Sequence, residues 1–142
     1  MNFVGINLRE INLKREVVEG SFKIKNVQNN ISVIDVKLKD IPVSEGKALI
    51  FTFEYTTNYE LDPKGSFGSI RFLGDVVFTD NKKKVDSIMK SWKKDKKIDE
   101  DSLFAVLQAA LNLVNVEAIY LSRKVMLPSP IKLPQISPKK KD

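Results

Sequence analysis

The chain contains neither cysteine nor histidine. Without cysteine there are no disulfides, no thiolate nucleophile and no thiolate metal ligand. Without histidine there is no Ser-His or Cys-His triad, no imidazole metal site and no imidazole general base. Chemistry by carboxylate or lysine stays open, but most catalytic constellations do not, and no residue is assigned a catalytic or metal-binding role. An uninterrupted apolar run of membrane-spanning length is also missing, so the expectation is that no segment crosses a bilayer. The opening "MNFVGINLREINLKRE" lacks the charged start, apolar block and small-residue cleavage site of a signal peptide, which leads to the expectation of a cytoplasmic protein.

What is present is a 142-residue chain with 42% hydrophobic residues. That suits one domain, expected over 1–136, with a disordered basic tail at 137–142. The net charge of +6 is uneven: residues 1–81 hold 10 Lys/Arg and 11 Asp/Glu, and residues 82–142 hold 14 and 7. A basic second half fits an electrostatic partner such as nucleic acid. A lysine-rich composition from heat adaptation or AT-rich coding produces the same imbalance with no partner at all.

The first half alternates with period two. Phe22 and Ile24 oppose Lys23 and Lys25. Ile34, Val36 and Leu38 oppose Asp35, Lys37 and Lys39. Leu49, Phe51, Phe53, Tyr55, Tyr59 and Leu61 share one face, as do Ile70, Phe72, Val76 and Phe78. Such alternation marks half-buried antiparallel strands. "INLREINLK" reads as extended with a bulge near Arg9 and Glu10. "NVQNN", "IPVSEGK" and "DPKGSFG" read as turns, giving a meander or Greek-key sheet of four to five strands.

The period then changes. Val85, Ile88, Met89 and Trp92 recur at helical spacing, with eight lysines among residues 82–97, so a short helix with one apolar face is expected. The acidic residues Asp99, Glu100 and Asp101 suit a helix N-terminus better than a cation site, since no calcium-loop spacing follows. From Ser102 to Met126 runs a second helix of about 24 residues, roughly 36 Å long. Gln108, Asn112, Asn115 and Ser122 form its narrow polar stripe on a 100° wheel. Apolar residues cover well over half the circumference, more than one sheet requires. A second body is therefore expected against Leu113, Val116, Ile119 and Tyr120. The fold class is α+β.

Other motifs carry little. "GSFGSIRFLG" lacks the Gly-Lys-Ser/Thr of a phosphate loop and suits a hairpin. Asp35 with Asp40, and Glu54 with Glu60, read as solvent-facing strand residues. The lysines of 82–97 around Trp92 fit a phosphate backbone or a solvated face over a core-anchoring tryptophan.

After the long helix comes "LPSPIKLPQI". Its prolines hold the chain extended and cut the entropy lost on docking, and its apolar residues call for a surface to dock on. The sheet, short helix, long helix and apolar proline strap, with Leu127-Pro128, Ile131, Leu133-Pro134 and Ile136 in rhythm, resemble the SecB family of ATP-independent chaperones and the SecB-like chaperones of toxin–antitoxin systems. The resemblance implies a homo-oligomer, a dimer of dimers with long helices sandwiched between sheets, that holds unfolded polypeptide in apolar grooves without a cofactor. It makes Leu127, Ile131, Leu133 and Ile136 groove-wall candidates, with Phe51, Phe53, Tyr55 and Tyr59 as weaker ones: Phe51 and Phe53 suit a core better, while Tyr55 and Tyr59, nearer strand ends, are freer to face a groove. Export members have a further helix after the strap and an acidic SecA-docking surface. The basic balance here points instead to a general or antitoxin-linked holdase. The alternatives are a nucleic-acid binder using 82–97 and a structural subunit of a dedicated complex.

Overall fold

A computed structural model of the chain describes residues 1–40 and 47–132. Four strands, β1 (Asn2–Arg15), β2 (Lys23–Lys39), β3 (Lys47–Asp62) and β4 (Ser66–Asp80), precede two helices, α1 (Lys82–Asp95) and α2 (Glu100–Lys124). All pairings are antiparallel and the strand order is β1-β4-β3-β2. Strands β2, β3 and β4 form a meander. β1 lies beside β4, which makes the order that of a Greek key. The chain leaves β1 past the β3–β4 turn, where the Glu16 amide donates to the Phe67 carbonyl over 2.8 Å. The bulge near Arg9 and Glu10 is present between Leu8 and Glu10.

Alternation places Leu49, Phe51, Phe53, Tyr55, Tyr59 and Leu61 of β3 and Ile70, Phe72, Val76 and Phe78 of β4 on one buried face, and the register shift opposite Tyr59 and Glu60 lets Phe67 join the core out of step. Both helices sit on it. The opposite face sets half-buried Ile50, Leu73 and Val77 among a polar network: Thr52 donates to Asp75 (2.8 Å), Arg9 pairs with Asp75, and Arg71 bridges Glu54 (2.7 Å) and Glu10 (3.4 Å). One expected turn is absent. Asn26–Asn30 is not a connection but the middle of β2, paired in register with Thr56–Glu60. Val27 faces the core cluster, and Asn29 finds buried polar partners. The two short strands expected on either side of that turn are one.

Two glycines mark close approaches. A Cβ on Gly68 would lie 2.5 Å from the Lys14 carbonyl oxygen and 2.8 Å from Leu127 Cδ2; one on Gly74 would lie 2.6 Å from the Asn7 carbonyl oxygen and 2.7 Å from Phe53 Cζ. Both are places where the sheet admits a neighbour only because no side chain stands there.

α1 is capped by Asn81, whose side chain accepts from the Lys84 amide at 2.9 Å, and it buries Val85, Ile88 and Trp92. α2 is capped by Asp99, which accepts from the Ser102 amide (3.1 Å), the Ser102 hydroxyl (2.8 Å) and Lys84 Nζ (3.3 Å). Partial burial pushes the Asp99 carboxyl up, but these hydrogen bonds and the lysine charge together hold it below its usual value. Asp99→Ala is expected to cost about 1 kcal/mol, read as a lower denaturant midpoint. An unchanged midpoint would show that water serves the α2 N-terminus as well as the aspartate does.

α2 buries Ser102, Val106, Ala110, Val114, Ala118 and Ser122, one residue in every four. The i+4 ridge is the one most often used when one helix packs on another; here it meets the sheet. These small residues let the axis approach the sheet closely. Ser122 thus belongs to the buried ridge and not to a polar stripe. Four residues turn the chain by 400°, so the ridge migrates about 40° per step around the helix. Part of the apolar girth of α2 is therefore used by one oblique contact with one twisted sheet.

Candidate functional site

The segment after α2 docks on the sheet. Met126 takes a left-handed conformation (φ 58°), and the Leu127 amide donates back to the Ser122 carbonyl over 2.9 Å. This closes the helix in the manner usually supplied by glycine. Leu127 is buried and its Cδ2 fills the space above Gly68 of β4. The Tyr59 hydroxyl of β3 donates to the Pro128 carbonyl, and Asn29 Nδ2 of the edge strand β2 donates to the Pro130 carbonyl at 2.7 Å. Residues 127–130 thus cross the sheet from β4 to β2, clasped twice through carbonyls that proline leaves free. Thr57 Oγ1 donates to Asn29 Oδ1 (2.8 Å) and lies 2.7 Å from the Tyr55 hydroxyl.

This arrangement corrects the aromatic candidates. Phe51, Phe53, Tyr55 and Tyr59 are all buried in the core. Tyr55 and Tyr59 do not face a groove: one joins the buried polar chain to Asn29 and the other clasps the strap. Leu127 is an anchor inside the fold, and Ile131 is half-buried at its rim. Leu133, Ile136 and the expected tail at 137–142 lie outside the described residues.

Burial pushes the Tyr59 hydroxyl far above its usual value, and neighbouring Tyr55 adds to the shift. Unfolded, this group releases its proton near pH 10; folded, it holds it to higher pH. Its contribution to stability is therefore complete below about pH 10 and falls as pH rises further. Thermal melting is expected to show that decline, with a shallower slope in Tyr59→Phe. Parallel slopes for the two proteins would contradict the assignment.

A groove of about 370 Å³ opens between β2 and the start of α2. Ile31 and Val33 of β2, Leu103 and Leu107 of α2, and Trp92, Lys96, Lys97 and Ile98 around the corner between the helices line it. A shallower hollow of about 380 Å³ lies on the other flank of α2, lined by Phe3, Ile6, Ala109, Asn112 and Leu113. From sequence, Trp92, Lys96 and Lys97 are candidates only for a phosphate backbone, and Ile31, Val33, Ile98, Leu103 and Leu107 are assigned to no groove. The available signal was Ile98, an apolar residue alone in the charged run "KKIDED".

Along its outward ridge α2 exposes Phe104 (70%), Val116 (64%) and Tyr120 (58%), with Gln108 and Asn112 between them. Leu113 and Ile119 are half-buried beside this ridge. By length and composition, with a mean hydropathy of 1.5, α2 is long and apolar enough to cross a membrane. The expectation to the contrary rested on uninterrupted runs, which Glu117 and the asparagines break. Here the inner ridge of α2 is seated on the sheet.

The lysine-rich helix has the form expected of a solvated face. Trp92 is 7% exposed, with Lys96 Nζ 5.3 Å from its ring centroid, so it offers no free face for a base to stack on. Among the described residues no group of His, Cys, Asp and Glu is arranged to hold a metal ion. Glu54 is engaged by Arg71, and Asp35 accepts from the Val36 amide and lies 3.7 Å from Lys37.

A four-stranded antiparallel sheet carrying a short and a long helix on one face, with a strap crossing beyond them, is the SecB-like α+β fold. Over 98% of this chain and 92% of the other, the structure is similar to the Mycobacterium tuberculosis Rv1957 SecB-like chaperone in complex with a ChAD peptide from the Rv1956 HigA1 antitoxin, with a TM-score of 0.52 and 11% sequence identity. No protein-family model matches the sequence, and no curated protein matches it.

Proposed function

We propose that this protein is an ATP-independent chaperone that holds extended, apolar segments of non-native polypeptide in the groove between β2 and α2. The observation that carries the reading is that groove. It is lined by aliphatic side chains and a tryptophan, and it lies open on a fold shared with a chaperone solved in complex with a peptide. The mechanism is mass action. Burial of a client's apolar side chains stabilises the bound state and lowers the free concentration of the aggregating species. Several sites on one oligomer raise the affinity for one long client. An antitoxin in its unfolded form is one client of this kind, in a cytoplasmic setting.

The outward ridge of α2 has a different role in this proposal. Phe104, Val116 and Tyr120, flanked by Leu113 and Ile119, meet the same ridge of a second copy, in a dimer-of-dimers arrangement. Client groove and assembly surface then lie on different flanks of one helix.

The direct test is light scattering from a chemically denatured model protein diluted into buffer, with stoichiometric amounts of this chain and no nucleotide. Suppression of aggregation that persists in moderate salt, and that Leu103→Asp with Leu107→Asp removes, is the expected result. Full suppression by that variant would place client binding elsewhere, and no suppression by the parent chain would overturn the holdase reading.

A further inference from the structure

We infer that the groove selects polypeptide segments carrying acidic side chains beside apolar ones, an inference that rests on the groove being the client site. Two amines and no carboxylate line it. Lys96 and Lys97 stand where α1 gives way to α2, and that corner is fixed. Lys96 takes a left-handed conformation (φ 58°), its amide donates to the Trp92 carbonyl over 3.0 Å, and Ser91 Oγ donates to the Lys97 carbonyl over 3.0 Å. Lys96 Nζ is held over the Trp92 ring, so a positive charge sits directly above the apolar floor.

The charge is also uncommitted. Among the described residues, neither Lys96 nor Lys97, nor Lys93 and Lys94 on the last turn of α1, lies within ion-pair distance of a carboxylate. The nearby acidic residues do not neutralise the groove. Asp99 is occupied by Ser102 and Lys84, and Asp95, Glu100 and Asp101 are exposed without lining it. A carboxylate brought in beside an apolar anchor gains a charge-assisted hydrogen bond to an exposed, unpaired amine. A lysine brought to the same place meets like charge. A plain apolar groove would be indifferent; this one discriminates by sign.

The test uses three labelled peptides with one shared apolar core, flanked by glutamate, serine or lysine, titrated by fluorescence anisotropy at about 0.02 M and about 0.5 M salt. The glutamate-flanked peptide is expected to bind about tenfold more tightly than the lysine-flanked one at low salt, with the gap narrowing at high salt. Lys96→Gly with Lys97→Gln should close the gap between the glutamate- and lysine-flanked peptides; glycine keeps the left-handed corner intact. Equal binding of all three peptides to the parent chain would overturn the inference and leave the groove reading standing. Binding of none would remove the groove reading and the inference with it. A gap that survives the double substitution would place the selectivity on other residues. Displacement of the serine-flanked peptide by a single-stranded oligonucleotide, lost in the same variant, would reassign the corner to a polyanion and overturn the inference.

Discussion

Leu113→Asp combined with Val116→Asp is expected to convert the proposed oligomer to single copies without unfolding the chain. Val116 stands on the outward ridge of α2 at 64% exposure, and Leu113 is half-buried on its flank beside the hollow next to β1. Burying either side chain between copies contributes roughly 1.5–3 kcal/mol, and forcing an unpaired aspartate into the same place costs several kcal/mol. In a two-fold interface each substitution acts twice, so the combined loss exceeds what a protein–protein contact of ordinary size holds in reserve. The fold itself should tolerate the change, because neither residue is part of the buried ridge Ser102–Ser122. Mass from sedimentation or light scattering reads the result, with circular dichroism to confirm the fold. An unchanged mass would refute the assignment of this ridge to assembly.

The second large effect lies in the core. Phe53→Ala is expected to destabilise the chain by about 3–5 kcal/mol, since the ring is fully buried against β4. Gly74→Ala alone should cost about 1–3 kcal/mol, because its new methyl would lie 2.7 Å from the ring's Cζ and 2.6 Å from the Asn7 carbonyl oxygen. Together they should cost less than the sum, since removing the ring clears one of the two obstructions. The Asn7 carbonyl of β1 stays, so relief is partial. Denaturant midpoints of the four proteins give the coupling. Additivity within about 0.5 kcal/mol would mean that ring and glycine do not constrain each other.

The strands were legible because alternation is a local pattern and a one-residue slip would expose every core side chain. β3 and β4 follow it on the helix-bearing side except at Phe67, where the register shifts. The same logic failed at Asn26–Asn30, where side-chain polarity hid a strand interior. Asn29 is polar because it holds the strap 101 positions away, and no local window contains its partner. Ser122 misled for a geometric reason: a 100° wheel assumes a contact parallel to the helix axis, whereas this one follows the i+4 ridge. Tyr55 and Tyr59 read as strand-end aromatics near solvent, yet their hydroxyls are satisfied internally. The groove was the least legible part. It exists only where β2, the α1–α2 corner and α2 converge, and its residues look like ordinary strand and helix positions when taken one element at a time.

The strand order has a consequence for biosynthesis. β1 leaves the ribosome first but pairs only with β4, the last strand made. At usual elongation rates roughly 3–13 s separate the two. Through that interval Phe3, Ile6, Leu8, Ile11 and Leu13 lack their partner strand, while β2 and β3 zip up by short-range pairing and β4 follows. Closure of the sheet therefore waits on its oldest segment, and a nascent copy passes through a stage in which it presents an extended, alternately apolar segment of its own to whatever binds such segments.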